Sequence, residues 1–153
     1  FDGVMRANLE ATGMGYDREV EMIANARQQE LFTSPYVFNV DEARAMVEAG
    51  GDLIVCHVGL TTAGSIGAGY AMSLDQAIDK VMEIAEVVWS LDRERLVICH
   101  GGPFDEPDNV AIALAKMPGI AGFYGASSAE RLPTERAIQA QVAAFKGLKL
   151  SPG

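Results

Sequence analysis

Two stretches decide how this chain is read: Ile54-Val55-Cys56-His57-Val58-Gly59 and Val97-Ile98-Cys99-His100-Gly101-Gly102. Each is an apolar run, then Cys-His, then glycine. Together they hold both cysteines and both histidines of the chain. A short apolar run bounded by glycine reads as a strand buried on both faces, as in parallel sheets. The polar residues then fall where strand passes into loop. In parallel α/β proteins that carboxyl edge is where ligands bind. Two equivalent strands are therefore expected to deliver an imidazole each to one edge of one sheet.

Outward from these strings, helix and strand signals alternate. Leu31 to Phe38 reads as a strand with its core at 31–36, and Pro35 is expected at its end. Leu53–Cys56, Leu96–Cys99 and Ile120–Tyr124 supply three more. Between them lie helical patterns. Asp17 is placed to cap a helix carrying Val20, Ile23, Ala24 and Arg27. Asn39-Val40-Asp41-Glu42 and Ser73-Leu74-Asp75-Gln76 resemble capping boxes, and Gly50-Gly51 reads as a helix stop. After Ser73, the positions Leu74, Ala77, Ile78, Val81, Met82, Ala85, Val88 and Trp89 follow the period of an amphipathic helix laid on a sheet. Pro107 and Pro133 open the last two helices.

Strand-helix alternation of this kind predicts a parallel sheet with right-handed crossovers. Four strands do not close a (β/α)8 barrel, which takes about 250 residues. The alternatives are an open four-stranded doubly wound sheet or one half of a barrel. Charges are sparse along all four strands, which ill suits an exposed edge. The favoured reading is a half barrel, its other half supplied by more chain or by another copy.

Composition bounds the partners. The chain has 153 residues, 49% of them hydrophobic and 22% charged, the balance of a globular domain. Twelve Lys and Arg against 21 Asp and Glu give a net charge of −9. That argues against nucleic acid and anionic membrane surfaces. A small anionic metabolite remains open, because a few backbone amides hold a phosphate locally. No apolar run approaches the roughly 20 residues of a membrane span, and the start does not read as a signal peptide. Two cysteines at buried strand ends point to reduced thiols and a cytoplasmic location. Phe1 in place of Met is expected of a processed, truncated or excerpted product.

His57 and His100 are the candidate acid–base groups, set against the plainer reading of hydrogen-bonded histidines packed at strand ends. Zinc held by Cys56, His57, Cys99 and His100 is disfavoured, since adjacent strand residues point to opposite faces. Gly101-Gly102-Pro103 and Gly125-Ala126-Ser127-Ser128 follow successive strands, where glycines admit a ligand and serines offer hydroxyls and amides. Thr61 and Thr62 open a small-residue loop to Gly69, either a lid or a plain connection; it lacks the P-loop lysine. Glu130 and Arg131 either bind substrate or anchor a helix. Glu21 reads better as a solvated helix residue than as a catalytic carboxylate. No carboxylate falls at the strand ends themselves.

Four strings carry a resemblance: NLEATGMGYDREVEMI (8–23), SPYVFNVDEARAMVEAGGDLIVCHVGLTTAGSIGA (34–68), VICHGGPFDEP (97–107) and GFYGASSAERLPTE (122–135). They are similar to the phosphoenolpyruvate hydrolase-like family, also described as a TIM-barrel signal-transduction domain. In fold that family is similar to the phosphoenolpyruvate mutase and isocitrate lyase group. The resemblance covers essentially the whole chain. It implies that residues 1–153 are the carboxyl-terminal half of a single (β/α)8 barrel, with further βα units upstream. The family motifs fall on His57, Gly59, Thr61, Thr62, Gly64, His100, Gly101, Gly102, Gly125, Ser127, Ser128, Glu130 and Arg131.

Two functions follow as expectations. The first is an enzyme, a hydrolase or lyase of the phosphoenolpyruvate-related superfamily. It would act on a small phosphorylated or keto acid, with His57 or His100 moving a proton. Gly101, Gly102, Gly125, Ser127, Ser128, Thr61, Thr62 and Arg131 would hold the anion, largely through backbone amides. A divalent metal such as Mg²⁺ would come from the missing half. The second is a non-catalytic module that senses a metabolite, or mainly assembles a homo-oligomer.

Overall fold

The computed structural model describes residues 3–61 and 72–149. Two helices, α1 (Gly3–Ala11) and α2 (Tyr16–Gln28), precede the sheet. Four βα units follow: β1 (Tyr36–Val37) with α3 (Val40–Glu48), β2 (Leu53–His57) with α4 (Leu74–Leu91), β3 (Leu96–His100) with α5 (Pro107–Lys116), and β4 (Gly122–Tyr124) with α6 (Arg131–Lys146). The four strands are parallel and neighbour each other in chain order, β1-β2-β3-β4. Winding therefore never reverses, unlike in a doubly wound sheet.

Sequential order with right-handed crossovers places the connecting helices on one face of the sheet. Burial agrees. Val37, Ile54, Cys56, Val58, Val97 and Cys99 share one core cluster with Ala43, Met46, Ala77, Val81, Ala85 and Val88 of α3 and α4. Strand residues alternate faces. Val55 and Ile98 are buried outside that cluster. On their face Tyr36, Leu96 and Tyr124 are exposed. His57 and His100 also fall on that face, at its carboxyl edge.

Local signals explain the boundaries. Ser73 and Gln76 form the reciprocal capping box expected for α4. Gly50 takes φ +87, and the bonds Gly50 N–H to Val47 O and Gly51 N–H to Met46 O stop α3 in a Schellman motif. Pro107 occupies the first turn of α5 as expected. Pro133 lies inside the first turn of α6, which begins two residues earlier.

Three expectations are corrected. The strand expected over 31–36 runs only Tyr36–Val37, although Thr33 O and Pro35 O already accept from Leu53 and Val55. Pro35 has no N–H, so it adds an acceptor to the ladder but no donor. The cap of α2 is Gly15, and Asp17 lies in the first turn. Asn39 does cap α3 by accepting from Glu42 N–H. The Glu42 carboxylate, however, accepts from Phe38 N–H and Arg6 instead of closing the box.

Candidate functional site

Register fixes the centre of the site. In the β2–β3 ladder Cys56 lies opposite Cys99 and His57 opposite His100. The cysteines turn to the helical face, where both are free and buried. Burial pushes the Cys56 thiol up, helped by the neighbouring Cys99, and pushes Cys99 up to about 11. Both are therefore inert thiols near neutral pH. The histidines turn to the other face, and their ring centroids stand 4.9 Å apart in an edge-to-face arrangement.

Two aromatic residues from the first βα unit wall this pair. The Tyr36 ring stacks on His100 at 5.0 Å and 12°, and meets His57 edge-on at 5.3 Å. Phe38 packs against His57 at 4.9 Å. The Tyr36 carbonyl accepts from Tyr16 O–H at 2.6 Å, which ties α2 to this wall. Sequence reading picked out neither Tyr36 nor Phe38. The signal was present in the alternation of Tyr36 and Phe38 about buried Val37, placed at the expected end of the first strand.

The imidazoles differ in their partners. His57 Nδ1 accepts from Gly59 N–H at 3.1 Å. His100 Nδ1 stands 3.0 Å from the Tyr124 carbonyl oxygen. Burial, and then the neighbouring His100, lower the His57 pKa to about 4, so this ring is neutral at physiological pH.

Glycines shape the rim. Gly101 (φ +80) and Gly102 (φ +55) lie in the left-handed region. A Cβ at 101 would stand 2.2 Å from Gly59 O, and one at 102 would stand 3.0 Å from Val58. The expectation of a free amide at Gly102 is corrected, because its N–H donates to Gly59 O at 2.8 Å. These glycines let the β2 and β3 loops touch. Gly125 directly follows Tyr124, beside His100 in the register. Ser127 O accepts from Arg131 and Leu132 N–H, so this stretch also begins α6. Arg131 pairs with Glu135 at 2.8 Å, one turn further along α6. Glu21 pairs with Arg18 on an exposed helix face. Thr61 is half-buried, while Thr62 and Gly64 lie outside the described residues.

Among the described residues no three His, Cys, Asp or Glu side chains group to hold a metal. Two imidazoles against aromatic walls are not the oxygen-rich set that Mg²⁺ takes, so the described residues do not fit that ion. A separate groove of about 740 Å³ lies between the starts of α3 and α4, lined by Asn39, Met72, Gln76, Asp79 and Lys80. Phe38 lines this groove and also packs against His57. Among the described residues, no helix is long and apolar enough to cross a membrane.

A family model described as phosphoenolpyruvate hydrolase-like matches residues 1–148. Two Solanum lycopersicum proteins, the ToMV susceptible protein tm-1(GCR26) and the ToMV resistance protein Tm-1(GCR237), are each 52% identical over 150 residues. Each alignment covers 98% of this chain and 20% of the relative. The putative transcriptional regulatory protein y4pA of Sinorhizobium fredii is 32% identical, over 97% of this chain and 24% of its own. The chain thus spans about a fifth to a quarter of the length of these relatives. Among solved structures, FabK from Thermotoga maritima has 19% identity and a TM-score of 0.46, over 68% of this chain and 29% of that one. The BexX/CysO complex of Amycolatopsis orientalis has 16% identity and a TM-score of 0.47, over 88% and 52%.

Proposed function

The chain belongs to the phosphoenolpyruvate hydrolase-like family, and from that premise we propose that it is the carboxyl-terminal half of one TIM-barrel domain that binds and acts on a small phosphorylated or 2-oxo acid. The observation that carries this reading is the in-register pair His57 and His100, 4.9 Å apart at the carboxyl edge of the sheet. Sequential strand order and helices gathered on one face support the barrel half. The other half closes the barrel over the face that carries Tyr36, Leu96 and Tyr124. The anion lies against Gly125, Ser127 and Ser128, with Thr61 flanking. Gly101 and Gly102 keep the rim low, and Arg131 holds the start of α6 in place. The domain works in the cytoplasm, in keeping with its two buried free thiols, and as a homo-oligomer.

The test is titration of the full chain with phosphoenolpyruvate, followed by calorimetry and turnover assay. For an enzyme, His57→Asn or His100→Asn lowers turnover by about 10²–10⁴-fold while binding largely survives. A metabolite-sensing module is the second reading, favoured by the regulatory name of the Sinorhizobium relative. In that case the same variants weaken affinity, with no turnover to lose. Unaltered affinity and turnover in both variants would exclude the pair from function.

A further inference from the structure

The two imidazoles are matched in position but opposite in hydrogen bonding. Gly59 N–H donates to His57 Nδ1. A nitrogen that accepts carries no proton, so neutral His57 bears its proton on Nε2. The Tyr124 carbonyl beside His100 Nδ1 is only an acceptor. That Nδ1 therefore carries a proton, and whenever the ring is uncharged its lone pair sits on Nε2. Among the described residues, neither Nε2 has a hydrogen-bond partner. The edge thus presents one N–H donor and one basic nitrogen, on adjacent strands.

The backbone enforces this difference. Gly59 takes φ +119 and turns its N–H back onto His57. His100 has no such turn, because Gly102 N–H goes to Gly59 O. Its Nδ1 instead meets β4, whose Tyr124 lies in register beside it. Identical Cys-His strings thereby receive fixed and opposite tautomers.

A neutral donor next to a base is the arrangement that proton transfer beside a carbonyl requires. We propose that this pair enolises a 2-oxo acid, with His100 as general base and His57 as the neutral donor to the carbonyl oxygen. The proposal rests on the reading of this edge as a small-acid site. His100 Nε2 takes a proton from the carbon next to the carbonyl. The C–H electron pair becomes the C=C bond, and the carbonyl π pair moves onto oxygen. His57 Nε2–H holds that enolate oxygen. Return of the proton from the His100 imidazolium to carbon restores the acid, so nothing is consumed. Tyr36, stacked on His100, offers a ring face to the imidazolium as it forms. His57, which burial keeps neutral, adds no second charge beside it.

The test uses the full chain and pyruvate as probe. Imidazole ¹H–¹⁵N spectra at neutral pH should show His57 protonated on Nε2 and His100 on Nδ1. This measurement needs no variant. Pyruvate should shift both rings, and its methyl protons should exchange into D₂O faster with protein than without. His100→Gln should slow that exchange by about 10²-fold or more while pyruvate still binds. His57→Gln, which keeps an N–H, should retain more exchange than His57→Leu. Reversed or averaged tautomers overturn the division of roles, as does pyruvate bound without exchange; both leave the acid-binding reading standing. Failure of pyruvate to move either ring overturns the two together.

Discussion

Burial holds the His57 ring neutral, and the sign of its pH dependence follows. Its folded pKa of about 4 lies below the ordinary value of 6.5. As pH falls, the unfolded chain takes up this proton first, so the contribution is whole above about 6.5 and is lost on the way to about 4. Urea midpoints measured across that window should fall, and His57→Gln should flatten the fall. A second residue-scale prediction concerns the rim. Gly101→Ala drives a Cβ to 2.2 Å from Gly59 O at φ +80, whereas Gly125 meets only the movable Ser128 hydroxyl at 3.2 Å, Phe123 and Ala129. Gly101→Ala should cost about 1–3 kcal/mol of strain, and Gly125→Ala clearly less, both read by denaturant unfolding. At this scale the two Cys-His strings made the histidines legible. Their opposite tautomers were not, because each depends on a backbone group beyond the string: the turned amide of Gly59 and the carbonyl of Tyr124.

At the scale of elements, the leading helices hold the aromatic wall in place. Arg6 of α1 meets the Glu42 carboxylate at 2.5 Å, and Glu42 is only 5% exposed. The other Glu42 oxygen accepts from Phe38 N–H at 2.8 Å, and Tyr16 O–H reaches the Tyr36 carbonyl. Both residues that flank the histidines are thus tied by their backbone to α1, α2 or α3. Arg6→Met strands the Glu42 charge and should cost about 3 kcal/mol, the low end for a broken buried pair, since Arg6 is partly solvated. Tyr16→Phe should cost about 1 kcal/mol. Denaturant midpoints with unchanged slopes would check both. The cap at Asn39 was legible from its own residues. The diversion of Glu42 was not, because its partner Arg6 lies 36 positions away and local capping signals carry no information about it.

For the whole molecule, strand order was readable because unbroken βα alternation with short loops leaves few other topologies. What covers the second face was not readable, since strands buried on both faces look alike whichever layer supplies the cover. Among the described residues, β1 pairs only with β2 and β4 only with β3, so both outer strands keep an open edge. Leu96 stands 51% exposed on the face away from α3 and α4. Exposed Ile138, Val142 and Phe145 make a second apolar stripe along α6 at helical spacing. If the chain is the proposed barrel half, these surfaces should drive association, and sedimentation should show mass rising with concentration. Leu96→Lys then separates the two surfaces. It should change the stability of dilute protein by less than about 0.5 kcal/mol, as for an exposed site, while weakening association through the sheet face. If association persists in Leu96→Lys but falls in Phe145→Glu, α6 is the contact and the sheet face is not. A monomeric mass at every concentration, with one cooperative unfolding transition, would mean that four strands suffice and would remove the half-barrel reading.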